Sequence, residues 1–204
     1  MMPDRAPIDE PRPTRRSQAK ADRRRQLLEA AARLIAERGY AGVRLEDLGS
    51  AVGISGPAVY RHFPNKEAVL VELLVGISAR LFEGGTDVVV SAADPGTALA
   101  GLIEFHLDFA LGESDLIRIQ DRDLGSLPDA ARRQVRRYQR RYVELWVQVL
   151  RETDPDLSET EARTKAHATF GLINSTRHSM GRTSPTLTRD VLRRMTVASL
   201  APGV

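Results

Sequence analysis

Apolar residues recur along most of this chain at spacings of three and four, and short clusters of Gly, Pro, Asp and Ser interrupt them. Such periodicity predicts amphipathic helices. The first runs from Asp22 to a stop at Gly39, with Leu27, Ala31, Leu34 and Ile35 on one face. Leu45, Leu48 and Val52 mark a short second helix that Gly53 follows, and Ser55 to Phe63 form a short third. Asn65 caps a long fourth helix whose apolar face carries Val69, Leu70, Leu73, Leu74, Ile77 and Leu81, and Gly84-Gly85 are expected to end it. Further helices are expected near 95–111, 113–122, 128–152, 158–180 and 185–200. Pro95, Pro128 and Pro185 sit at or near their starts, where a missing N–H is tolerated. Val88-Val89-Val90 is an isolated β-branched run that implies no sheet, and no repeat of fixed period is present. The expected fold class is all-α.

Composition narrows the function classes. The chain has 204 residues, 42% of them hydrophobic and 28% charged, which suits a globular protein, either a small module plus a larger core or one large domain. With no cysteine there are no disulfides and no thiolate metal site. No apolar run approaches the roughly 18–20 residues of a membrane span. The opening residues MMPDRAPIDEPRPTRRSQAK lack the apolar core of a secretory signal, so a cytoplasmic protein is expected. Charge is uneven: residues 1–66 hold 13 Lys/Arg against 8 Asp/Glu, and residues 67–204 hold 17 against 19. A positive N-terminal third suggests a polyanionic partner, nucleic acid first, with an ordinary solvated tail as the alternative. Residues 1–20, rich in Pro and Arg, are expected to form a flexible basic arm.

The stretch "SGPAVYRHFPNKEAVL" gives that charge a purpose. A short helix, a turn with Gly53 and Ile54, and another short helix is the helix-turn-helix pattern. Ser55 is a good N-cap, Gly56 allows close backbone approach, and Pro57 falls in the first turn. The free amides there are expected to seat a phosphate. Ala58 is small enough to lie against a base, Tyr60 can donate its hydroxyl to phosphate, Arg61 can contact a base edge or the backbone, and His62 can reach phosphate. Val59 and Phe63, four apart, anchor the helix, and Lys66 is a further phosphate ligand. Any one of these is more often a plain surface residue; the constellation is what is specific.

Residues 22–70 resemble the N-terminal domain of TetR-family transcriptional regulators. The resemblance rests on "LLEAAARLIAERGYAGVRLEDLGSAVGISGPAVYRHFPNKEAVL": a Gly-aromatic pair at Gly39-Tyr40, the helix-turn-helix, Tyr60 and Phe63, and the pair Lys66-Glu67. It covers about a quarter of the chain. Two positions depart from the pattern. Val43-Arg44 stand where many members have a Thr or Ser that caps the second helix, and Gly56-Pro57 stand where many have Lys-Gly; Arg44 can still reach phosphate, and either it or the arm is the expected replacement for the missing cationic contact. The resemblance implies a homodimer that binds double-stranded operator DNA, most often as a repressor, and releases it on binding a small molecule. It divides the chain into the arm at 1–20, a DNA-binding domain at 21–67 and a ligand-binding and dimerisation domain at 68–204.

Motifs thin out in the last two thirds. Phe105, His106, Phe109, Trp146, Phe170 and Asn174 are candidate pocket residues, with plain core packing as the competing reading for each. Arg133, Arg136, Arg137, Arg140 and Arg141 precede an apolar stretch ending in Trp146 and Val149. They form a solvated face, or meet DNA phosphates, or Arg133 and Arg137 hold the anionic head of an apolar effector, an acyl thioester of coenzyme A being the leading candidate. The last two helices are the expected dimer interface, with small Ala166, Ala168 and Gly171 and apolar Val191, Leu192, Met195 and Leu200. Two-fold symmetry would demand a palindromic operator. An enzyme using His106, His167 or His178 is the competing class, as is a purely structural helical scaffold. No metal-spaced cluster, nucleophile elbow or phosphate loop supports catalysis, so no catalytic residue, metal or cofactor is assigned.

Overall fold

The computed structural model describes residues 14–175 and 184–201, and these form nine α-helices, one short 3-10 turn and no strand. Helix α1, Arg15–Arg38, starts seven residues before the expected Asp22. Thr14 caps it by accepting from the Ser17 N–H at 3.2 Å, and Gln18, Ala19, Lys20 and Ala21 are good helix formers. Residues 15–20 are therefore the first turns of α1 rather than part of an arm; the rest of the expected arm, residues 1–13, lies outside the described residues. Gly39 closes the helix with φ +82°, a backbone region that disfavours side chains, while its N–H donates to the Ile35 carbonyl at 2.8 Å.

Helices α2 (Leu45–Ala51) and α3 (Gly56–Val59) form the helix-turn-helix. Gly53, at φ +72°, lets the chain reverse between them. Gly49 lets the two helices touch: a Cβ there would stand 2.8 Å from a Val59 methyl and 2.9 Å from the Ile54 carbonyl oxygen. The third helix is one turn long instead of spanning 55–63. Tyr60 to His62 continue it as looser turns, Arg61 N–H to Ala58 at 3.3 Å and His62 N–H to Val59 at 2.8 Å, until Pro64 disfavours helical backbone before it.

Helix α4, Lys66–Ser91, begins as expected, with the Asn65 side chain accepting from the Ala68 N–H at 2.8 Å. It does not stop at Gly84-Gly85. A Cβ on Gly84 would stand 2.5 Å from Phe105, and one on Gly85 the same distance from Tyr142. The glycines are thus the contact points at which neighbouring helices press onto α4, and Val88-Val89-Val90 are helical. The remaining helices are α5 (Pro95–Gly112), α6 (Ser114–Asp123), α7 (Asp129–Thr153), α8 (Glu159–Asn174) and α9 (Pro185–Leu200). The expected extension of α8 from 176 to 180 lies outside the described residues.

Two apolar cores share α4. Leu27, Leu34, Ile35, Leu48, Val59, Phe63, Leu70 and Leu74 fill the first, closed from below by Leu116 and Ile119 of α6 and Val135 of α7. The second gathers Leu102, Ile103, Leu107, Trp146, Val149, Leu150 and Ile173 from α5, α7 and α8, with Leu192 and Leu200 of α9. Trp146 is fully buried, and burying a side chain of this class stabilises by about 2–3 kcal/mol. Helix α4 crosses the boundary expected at 67/68, so both units are built on one rod.

Candidate nucleic-acid interface and effector pocket

The helix-turn-helix presents Arg44, Ser55, Pro57, Tyr60 and Arg61 to solvent, while Gly56, Ala58, His62 and Lys66 are half-buried. Burial of Val59 and Phe63 fixes which way that face points. Three of the expected phosphate ligands are committed elsewhere. The Tyr60 hydroxyl donates to Glu46 Oε1 at 3.0 Å. The Lys66 ammonium donates to the Tyr40 carbonyl at 2.7 Å and lies 4.4 Å from the Tyr40 ring centre, tying α4 to the end of α1. His62 leans inward, its Nδ1 buried without a partner. Burial first, then Lys20, Arg24 and Arg23, hold its pKa below the ordinary value, which favours the neutral ring. A single-turn α3 has little macrodipole, so the expected phosphate seat at its N-terminus would rest on its free amides. At the second helix, Arg44 makes no side-chain cap; its N–H donates to Asp47 Oδ2 at 2.8 Å, and its guanidinium stays exposed.

The basic residues of α1 divide in the same way. Arg24 pairs with Glu72, donates to the His62 carbonyl and sits 4.1 Å from the Phe63 ring centre. Arg23 donates to the Val52 carbonyl at 3.2 Å. Both clamp the reading head, whereas Arg15, Arg16 and Lys20 are exposed.

A second site lies between α4, α5, α6 and α7. It is a cavity of about 60 Å³ lined by Ile77, Ser78, Leu81, His106, Phe109, Leu116, Ile117, Gln120, Tyr138, Tyr142 and Asn174, among others. The rings of His106, Phe109, Tyr142, Trp146 and Phe170 pack against one another beside it, His106 and Phe170 at 4.9 Å and Trp146 and Phe170 edge-on at 5.3 Å. Phe105 is not part of this wall; it lies against Gly84. His106 is buried, and its Nδ1 lies 3.2 Å from the Tyr142 hydroxyl. Burial pushes its pKa down to about 4, against a smaller opposing effect of the Asn174 side chain, and raises that of Tyr142. The imidazole is therefore neutral. His106 Nε2, Asn174 Oδ1, Trp146 Nε1 and Thr169 Oγ1 are buried without a well-formed hydrogen bond, although Asn174 lies near enough to His106, and Trp146 to Tyr142, to interact weakly with them. Sequence periodicity offers Tyr142 only as an apolar-face residue, and Gln120 and Tyr138 not at all.

Arg133 and Arg137 do not enter this cavity. With Arg136, Arg140, Arg163 and His167 they line an open surface groove of about 640 Å³ between α7 and α8. The two sites are neighbours: Gln139 borders both. Arg163 is neutralised by Glu144 and Glu159, at 2.7 and 2.9 Å, while Arg133, Arg136, Arg137 and Arg140 are exposed or half-exposed.

On the outer face of α8 and α9, Ala168 and Gly171 are exposed beside Leu187, Val191, Met195 and Val197. Ala166, Leu192 and Leu200, expected at the same interface, are buried in the protomer's own core. No group of three His, Asp or Glu that could hold a metal ion occurs among the described residues, and no helix among them is long and apolar enough to cross a membrane.

Comparison with known proteins places both halves of this architecture. Residues 27–73 match the family described as bacterial regulatory proteins, tetR family, and residues 92–197 match the tetracyclin repressor-like C-terminal domain. The HTH-type transcriptional repressor KstR2 of Mycobacterium tuberculosis is 36% identical over 135 residues, 64% of this chain and 66% of its own. Matches to KstR2 repressors span from 46% to 66% of their lengths. Among solved structures, the TetR-family regulator PfmR from Thermus thermophilus is 25% identical with a TM-score of 0.75, over 86% of this chain and 97% of that one. AibR in complex with isovaleryl coenzyme A and operator DNA is 21% identical with a TM-score of 0.71, over 85% and 97% of the two chains.

Proposed function

This chain belongs to the tetR family of bacterial regulatory proteins, and on that premise we propose that it is a homodimeric, effector-responsive repressor of transcription acting on a palindromic operator in the cytoplasm. The observation that carries the effector reading is the half-apolar cavity with unpaired His106 Nε2 and Asn174 Oδ1. A ligand with an apolar body and one hydrogen-bonding group would satisfy what the protein leaves open. The cavity is walled by α4 and α6, the two helices that also hold α1, so its occupant acts where the reading head is anchored.

An acyl thioester of coenzyme A is the first candidate for that ligand. The acyl group would enter the aromatic cavity, its carbonyl facing His106 or Asn174, and Arg133 and Arg137 of the neighbouring groove would take the phosphates. The complex of AibR with isovaleryl coenzyme A, on the same fold, supports this class. At about 60 Å³ the cavity holds roughly four or five water-sized groups, so a short or branched acyl chain fits as it stands. A longer one must part α4, α6 and α7.

DNA contact is assigned to Arg44, Ser55, Gly56, Pro57, Ala58 and Arg61, with Tyr60, His62 and Lys66 shaping the same surface. The dimer is assigned to the exposed strip of Leu187, Val191, Met195, Ala168 and Gly171, where two copies of α8 and α9 would form a four-helix bundle. Calorimetric titration with acyl thioesters of rising chain length, and with the matching free acids, tests the effector. Charge reversal at Arg133 or Arg137 is expected to weaken the thioesters at least tenfold and to leave free acids unaffected. If no thioester binds, the arginines are a solvated face and the effector is a smaller apolar molecule.

A further inference from the structure

The face assigned to DNA contains one element that does not suit a phosphate backbone. Glu46, in the first turn of α2, is exposed, and no cation lies within 4 Å of it among the described residues. Its carboxylate accepts the Tyr60 hydroxyl proton at 3.0 Å. The side chain lies along the start of α3, where the missing side chain of Gly56 leaves room; a Cβ there would come within 3.3 Å of Glu46 Cγ. Tyr60 itself is 51% exposed, so the pair stands on the outer surface of the helix-turn-helix, where Arg44 and Arg61 are exposed as well.

The hydrogen bond decides what this pair can recognise. A tyrosine hydroxyl has one proton, and here Glu46 holds it. What remains on Tyr60 is lone pairs, and a carboxylate offers only lone pairs. Together they form an acceptor-only patch with a full negative charge. Phosphate oxygens are acceptors too, so the patch repels the backbone. In the major groove the donors are the amino groups of cytosine N4 and adenine N6. Adenine N6 is flanked by acceptors on both sides, its own N7 and thymine O4, whereas cytosine N4 has the apolar C5–H on one side. An acceptor-only patch therefore suits cytosine better.

We propose that Glu46, oriented by Tyr60, is a specificity-determining residue that accepts a hydrogen bond from a cytosine amino group in each operator half-site. This rests on the DNA-binding reading above and adds the base it demands. It also assigns Tyr60 a role other than phosphate donor. The charge makes tracking along non-cognate DNA less favourable, because the same carboxylate gains nothing where no amino group meets it.

The test is selection from a random duplex pool with the full chain, its Glu46→Ala variant and its Tyr60→Phe variant, followed by sequencing. The wild-type pool is expected to require cytosine at one symmetrical position per half-site. Glu46→Ala should lose that requirement at least tenfold while enrichment elsewhere in the site persists. Tyr60→Phe should relax it partly. A pyrimidinone lacking the amino group at that position should weaken wild-type binding by tenfold and leave Glu46→Ala binding where it was. Identical preferences at every position in the wild-type and Glu46→Ala pools overturn the proposal, as does a Tyr60→Phe loss spread equally over all sequences, which would mark a phosphate contact. A wild-type pool with no enriched sequence overturns the DNA-binding reading itself.

Discussion

Replacing Arg122 with alanine should uncouple the effector from the operator while leaving each site intact. Arg122 lies in the last turn of α6, whose preceding turns supply Leu116, Ile117 and Gln120 to the cavity wall. Its guanidinium donates to two carbonyls in the last turn of α1: that of Ile35, which also accepts from the Gly39 N–H, and, at 3.3 Å, that of Ala36. It is held in place by Asp123 Oδ2 at 3.0 and 3.1 Å. Hydrogen bonds from a charged donor contribute about 1.5–3 kcal/mol each. The side chain is 40% exposed, so water competes and the lower end applies. The two carbonyl bonds then hold α1 to α6 by about 3 kcal/mol at most, the upper end of the coupling found between two sites. Arg122→Ala should lower the melting temperature modestly and keep effector-free DNA affinity within about threefold of wild type. The effector-driven loss of DNA affinity should shrink tenfold or more, about 1.4 kcal/mol. Fluorescence anisotropy of a labelled operator, with and without effector, reads both quantities. Arg122→Lys, which keeps the charge but not the planar fork, should fall between. Full effector response in Arg122→Ala would rule out this route and leave the apolar packing of α4 and α6 against α1 to carry the coupling.

Three further outcomes follow from single side chains. His106 stays neutral when folded because burial pushes its pKa from 6.5 down to about 4; above pH 6.5 this costs nothing, but as pH falls towards 4 the unfolded chain takes up a proton that the folded one refuses, and up to about 3 kcal/mol of stability is lost. A His106→Gln variant should lose this part of the pH dependence in urea unfolding measured across that window. Gly85→Ala places a methyl 2.5 Å from Tyr142 and should destabilise by about 1 kcal/mol despite the better helix propensity, whereas Gly76→Ala, with nothing within 4 Å, should stabilise by up to about 1 kcal/mol in thermal melts. Met195→Glu on the exposed face of α9 should yield monomers in sedimentation and weaken operator binding far more than it weakens folding.

The residues legible in the sequence are those whose meaning is local. Asn65 reads as a cap because its side chain reaches only three residues ahead, and α9 is bounded as Pro185 and the apolar spacing of Leu192 and Leu200 suggest. The helix-turn-helix is legible for the same reason: Val59, Phe63 and Gly53 do their work within one small unit. What escapes depends on distant partners. Gly84-Gly85 read as a stop until Phe105 and Tyr142 are seen to occupy the space beside them. Lys66 and Tyr60 have the right chemistry for phosphate, yet Tyr40 and Glu46, brought close by the fold, engage them first. Tyr142 looks like any apolar-face residue because its hydroxyl finds His106 across 36 positions of sequence. Trp146, Phe170 and His106 are legible as aromatic mass, but not the unpaired nitrogens and oxygens that make that mass a candidate binding site.

If the protein is an effector-responsive repressor, cavity occupancy and operator binding must oppose each other. Anisotropy of a labelled duplex from the region upstream of the chain's own gene, titrated with the full protein and then with acyl thioesters of coenzyme A, measures both. The expected result is saturation at two protomers per duplex, affinity that falls steeply with salt, and release as the thioester rises, with the same release blunted in His106→Gln. Tight binding that no thioester reverses would contradict the effector assignment, and no binding at any salt concentration would contradict the reading of Arg44, Arg61 and their neighbours as a DNA-contacting surface.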